Sequence, residues 1–224
     1  MTRSITFTIN DEIGTQVKIS EVDDDPRSLR VDLEQVTPNA IGDLRGFFLD
    51  LEGLTNSNNL TLIDHPDFAG NIADYIYDPQ AVARLSRDVN IKGKVLNTAG
   101  YFDIGVEFGS PGKDKDDIQA TSFWLQSEDD DISLDSVDLV DLALRYTSVG
   151  RADQRDKSLK TVGKSSGVAR DDEWEVDENG MSTHDLLLND TNGTQSDGTR
   201  KTVSRVFDEN GHLVQTDLGF KRIV

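Results

Sequence analysis

The residues with most chemistry to offer are carboxylates. Asp and Glu number 42 against 23 Lys and Arg, and many gather with Asn and Gly between strand-like runs. Calcium is a hard cation that takes six to eight oxygen ligands, and acidic loops of this kind supply them. In Lys113-Asp114-Lys115-Asp116-Asp117, Asp114 and Asp116 alternate towards one side. Gly109 and Gly112 permit a tight path, and Asp117 or Asp103 would close the site. Asp23 to Asp25 and Glu128 to Asp131 are further clusters, and Asp171, Asp172, Asp177 and Glu178 with Asp190 form a candidate junction site. None follows the EF-hand loop, and no nonapeptide calcium array is present. Ca2+ is the expected cofactor on ligand chemistry alone.

Catalysis finds little material. With no cysteine, thiol chemistry, disulfides and zinc-thiolate sites are excluded together. The histidines, His65, His184 and His212, stand in no ligand or triad spacing, and no G-x-S-x-G occurs. Gly109 to Lys113 and Gly163 to Ser165 both fail the P-loop pattern. Asp103 and Glu107 would lie about 13 Å apart along a strand, too far for a glycosidase pair. The chain is expected not to be an enzyme. Glycan binding is the rival function, through aromatics on a sheet face. Tyr75 and Tyr77 in Ala73-Asp-Tyr-Ile-Tyr-Asp78 share a face if that run is a strand, which makes them the platform candidates. Trp124 and Tyr146, amid apolar strands, read as core.

These residues need β-elements to position them. Ser4 to Ile9, Gln16 to Ser20 and Leu29 to Leu33 alternate apolar with polar. Arg45 to Leu51 is apolar enough to be buried on both faces. In Tyr101 to Phe108, Phe102, Ile104, Val106 and Phe108 share one face while Asp103 and Glu107 take the other. Gln119 to Gln126 and Leu142 to Ser148 complete the set. Pro79 to Asp88 reads as a short helix, and Leu134 to Val140 fits helix or strand. Short strands between Gly, Asn and Asp clusters predict an all-β fold, a β-sandwich with jelly-roll-like packing, over residues 1–150. Residues 151–172 read as a polar linker, and 173–224 as a small β-rich unit ending in a hairpin turned by Asn210-Gly211.

A formal charge of −19 disfavours nucleic acid and anionic membrane surfaces as partners, since both demand a basic face. No apolar stretch is long enough to span a bilayer. The N-terminal MTRSITFTIN has no apolar core of a classical signal peptide.

Two stretches carry resemblances. Ile41 to Asp50, Phe102 to Gly109, Lys115 to Phe123 and Arg145 to Gly150, in that order, resemble a domain of large RTX-like, hemolysin-type bacterial surface proteins. Ala169 to Gly180 followed by Asp185 to Thr194 resembles the opening of a cadherin-like or Ig-like tandem repeat. The likeness implies a calcium-rich, secreted or cell-surface setting, and export without a cleaved N-terminal signal. The expected function is thus a calcium-binding structural or adhesive module whose partners are neighbouring modules, copies of itself or extracellular glycan. A glycan-binding module is one alternative. Another is a self-assembling subunit that donates its C-terminal strand, Gly219 to Val224, to a neighbour's sheet edge.

Overall fold

Alternation becomes strands almost wherever it occurs. The computed structural model describes residues 3–9, 11–36, 40–51, 59–93, 100–110, 115–151 and 154–163, together with 206–207 and 213–214. The chain divides into two units, Met1–Ser165 and Ser166–Val224. In the first, β1 (Ser4–Ile9), β2 (Thr15–Val22), β3 (Asp25–Gln35), β8 (Ala120–Ser127) and β5 (Leu60–Asp64) form sheet A in that order. Sheet B has the order β10 (Gln154–Gly163), β9 (Val137–Arg151), β4 (Ile41–Leu51), β7 (Phe102–Phe108) and β6 (Ile72–Val82). Every pairing is antiparallel. From β3 to β9 the chain changes sheet at each connection except β6 to β7. This is an all-β sandwich, as the alternation predicts.

The inner faces meet in an apolar core. Leu29, Val31 and Leu33 of β3 pair with Leu125, Phe123 and Thr121 of β8. The Phe123 ring packs on Phe47 and Phe108 of sheet B at centroid distances of 6.3 and 6.0 Å. Each such ring or Leu removed from water contributes about 1.5–3 kcal/mol. One hydrogen bond crosses this core, between the hydroxyls of Thr15 and Tyr146, 2.5 Å apart. Burial pushes the Tyr146 phenol far up, so it stays protonated. Tyr146 is the core residue its sequence context suggests.

Sheet B is covered on its outer face as well. Segment 82–93 folds across it and places Val82, Ala83, Val89 and Ile91 against Phe48, Phe102 and Ala143. Glycines on adjacent strands make the floor. A Cβ on Gly46 would lie 2.6 Å from Val89 Cγ1, and one on Gly105 would lie 2.6 Å from Leu85 Cδ1. The helix predicted from Pro79 to Asp88 does not form. Strand β6 continues to Val82, and Leu85 N–H bonds to the Val89 carbonyl at 3.0 Å in a tight turn. Helix propensity is overridden here because these apolar residues gain more by lying flat on a glycine floor. The ambiguous run from Leu134 resolves into a single 3-10 turn, Leu134–Ser136, followed by β9.

The polar stretch after residue 150 begins with strand β10, paired to β9 from Gln154 to Gly163. An edge strand buries little, so its polar sequence resembles a linker. In the second unit, Val206 and Phe207 pair with Val214 and Leu213, as the Asn-Gly hairpin predicts. Asp114, Asp171, Asp172, Asp177, Glu178, Asp190, His184, His212, Trp174 and segment 219–224 lie outside the described residues. No helix among the described residues is long and apolar enough to cross a membrane.

Candidate functional site

Asp103 sits on the interior strand β7 between β4 and β6 and is buried. Its carboxylate accepts hydrogen bonds from both neighbours: Leu51 N on one side at 2.8 Å, Gln80 N and Nε2 on the other at 2.7 and 3.2 Å. Its own N–H donates to Asp50 Oδ1 at 2.9 Å. The site is a bulge. Between Tyr77↔Ile104 and Val82↔Phe102, β6 carries several more residues than β7, and Gln80 there has φ 53. Ladder hydrogen bonds are lost in a bulge, and Asp103 replaces them.

The Asp103 carboxylate is not near the loop before β8. Asp103 and Gly109 are at opposite ends of β7, about 20 Å apart by strand rise. In the loop, Asp116 accepts from the Ser110 N–H. Asp117, at φ 47, pairs with Arg155. The Arg155 contact holds the Asp117 carboxyl below its ordinary range. Asp43 on β4 accepts from Ile118 N at 3.0 Å and the Thr147 hydroxyl at 3.3 Å, yet burial raises its pKa. The two carboxylates therefore act on stability with opposite sign. Asp117 favours the fold above its unfolded pKa, and that gain is lost as pH falls through its folded value. Asp43 favours the fold in acid, and that gain is lost as pH rises through its folded value. Glu107, also buried, pairs with Arg45 at 3.1 Å. Among the described residues, no three His, Asp or Glu side chains are arranged to hold a metal ion.

Two acidic loops do come together. The β2–β3 turn carries Asp23 to Asp25, and the connection after β8 carries Glu128 to Asp131. They are tied by Arg27 Nη1 to the Glu128 carbonyl at 2.9 Å and by Ile132 N to the Pro26 carbonyl at 2.9 Å. Beside them lies a cavity of about 390 Å³ lined by Asp25, Arg27, Ser28, Thr61, Gln126 and Glu128.

That cavity opens onto the outer face of sheet A. Phe123 and Leu125 point into the core, so Trp124 between them points out, and it is only half-buried. Directly across the ladders stand Arg30 on β3 and Ile63 on β5. The next row towards the cavity is Ser28, Gln126 and Thr61, and the row on the other side holds Asp32 and Ser122. The His65 ring lies against the Trp124 ring at a centroid distance of 4.9 Å. It is set there by His65 N donating to the Ser122 carbonyl at 3.0 Å, where β5 ends in Pro66–Phe68. An indole flanked by hydroxyls, an amide, a guanidinium and a carboxylate can offer an apolar surface and a ring of polar partners together.

Compared with models of protein families, with curated proteins and with solved structures, the chain matches none. Tyr75 and Tyr77 do lie on one strand face. Their cross-strand partners are Val106 and Ile104, so they share a pleat with core residues and are half-buried. Burial first, then the nearby Asp103 and Asp130, raise the Tyr77 phenol. Trp124 is an outward aromatic within a strand, and strict alternation from Thr121 to Gln126 is the signal that finds it. Tyr101, just before β7, is the more exposed aromatic.

Proposed function

We propose that this chain is a non-enzymatic adhesive module of a secreted or cell-surface protein, binding glycan on the outer face of sheet A. The half-buried, outward Trp124 supports this reading. A pyranose has an apolar C–H face bordered by hydroxyls, and Trp124 with Arg30, Gln126 and Thr61 presents the complementary pattern. Replacing Trp124 by alanine is expected to weaken binding on a glycan array about tenfold or more, since an aromatic contact is worth ~1 kcal/mol beyond its buried area. Melting should fall modestly, because the ring is half-buried against His65, so binding is compared at a temperature where the variant is folded. Full retention of binding by that variant would remove the proposal.

Calcium belongs to the same reading, as the ion that neutralises the two acidic loops beside the cavity. The likeness to RTX-like proteins gives it context. Thermal melting in EDTA, then in millimolar calcium, then in millimolar magnesium tests this. A calcium-specific rise is expected, because an ion that binds only the folded state stabilises it by ~2.7 kcal/mol at a hundredfold excess over Kd. Equal shifts with magnesium would reduce the loops to a screened, solvated surface.

A further inference from the structure

The excess of negative charge is unevenly placed. On the outer side of sheet B, segment 82–93 and the adjoining strands bring together Arg84, Arg87, Lys92, Arg145 and Lys160 around one acid, Asp88. Arg145 reaches across from β9, donating to the carbonyls of Asp88 at 3.1 Å, Tyr146 at 2.7 Å and Leu159 at 3.2 Å. Lys160 of β10 donates to Asn90 Oδ1 at 2.8 Å and to the Lys92 carbonyl at 3.0 Å. Among the described residues, neither cation donates a hydrogen bond to a carboxylate. The Asp88 carboxylate is turned to Arg87, at 3.4 Å. Desolvation lowers the Arg145 pKa against the opposing pull of Asp88, and desolvation followed by repulsion from Arg145 lowers that of Lys160. Arg84, Arg87 and Lys92 are exposed.

The same unit carries the opposite sign on sheet A. The loops with Asp23 to Asp25 and Glu128 to Asp131 are mostly exposed. Within that pair of loops, Arg27 spends Nη1 on a backbone carbonyl. One molecule thus displays a basic face and an acidic pole on different sheets. Two surfaces that complement each other but differ in place make a heterologous contact, which joins copies head to tail. We propose that, when they hold no calcium, the acidic loops of one copy dock on the basic face of sheet B of a second copy of this chain. Each copy has a net charge of −19, so whole-body repulsion opposes the contact at low salt. At physiological ionic strength the Debye length is about 8 Å, which screens that repulsion while leaving direct pairs at the interface.

Sedimentation of the full chain at physiological salt in EDTA tests this. Self-association that grows with concentration is expected. Arg87→Glu/Lys92→Glu cancels the positive charge of the basic face, and Asp23→Lys/Asp131→Lys cuts the negative charge of the acidic pole. All four side chains are exposed, and melting checks that both variants keep the fold. Each variant alone should associate at least about tenfold more weakly. Their equimolar mixture should recover pairwise association, because the intact acidic pole of one variant then meets the intact basic face of the other. A wild-type chain that stays monomeric at hundreds of micromolar would overturn the proposal, as would a mixture no stickier than its components. Capture of a sulfated polysaccharide such as heparin by a monomeric wild type, lost in Arg87→Glu/Lys92→Glu, would also overturn it and make the face a polyanion site.

Discussion

Asp103→Ala should lower the unfolding free energy by about 3–5 kcal/mol, read as a shift of the urea midpoint at unchanged slope. The side chain accepts from Leu51 N, Gln80 N and Gln80 Nε2, and no ladder hydrogen bond can take over those donors in the bulge. A donor left without an acceptor costs ~1–3 kcal/mol when buried, and here two of the three are part-buried backbone groups held in place by their strands. Asp103→Asn keeps one acceptor oxygen but turns an amide towards an N–H, so roughly half of the loss is expected. A loss below about 1 kcal/mol for the alanine variant would show that the bulge reorganises around the gap. Calcium ligation by Asp103 would show differently, as loss of the calcium-dependent part of the melting temperature.

The Arg45–Glu107 pair carries the second large effect. The Arg45 and Glu107 side chains are 2% and 9% exposed, so both charges are taken out of water. Arg45 Nη1 is the one buried side-chain polar atom without a partner among the described residues, so its desolvation is only partly offset. Arg45→Met alone should cost about 3–5 kcal/mol, because it strands the Glu107 carboxylate. Arg45→Met with Glu107→Leu should recover most of that loss, and can equal the parent, since a well-packed apolar pair avoids both desolvation costs. Denaturant unfolding of the four proteins gives the coupling directly. Additive losses would mean that the two charges are solvated well enough to act independently.

The sequence made the layers legible and the roles of the carboxylates much less so. Strict alternation marks β1, β2, β3, β7 and β8, strands whose alternate residues face the core, although β7 is buried on both faces. The acids opposite that face on β7, Asp103 and Glu107, read as solvent-facing groups free for metal or catalysis. Both are buried, Asp103 among Leu51, Gln80 and Asp50 and Glu107 against Arg45. The same sheet's apolar patch is covered by segment 82–93, which has no periodicity to announce a covering role. Its Ala, Leu and Arg content reads as helix, while its fate was decided by two glycines distant in sequence, Gly46 and Gly105. Trp124 was hidden by company. Both neighbours are apolar, and a large aromatic in such a run reads as core, although period-two counting from Thr121 puts it outside. β10 was hidden by its edge position, where nothing requires an apolar face.

The two outermost strands also decide how the first unit meets force. β1 edges sheet A and β10 edges sheet B, and the Ile9 side chain at the end of β1 packs over Gly163 at the end of β10. Tension drawn through Arg3 and Gly163 therefore runs lengthwise along β1. The six β1–β2 pairs from Ser4↔Ser20 to Ile9↔Thr15 lie across that line, so they are sheared together rather than unzipped in turn. Rupture then demands that several ladder hydrogen bonds fail at once, and the mechanical strength of the unit is set at its first strand.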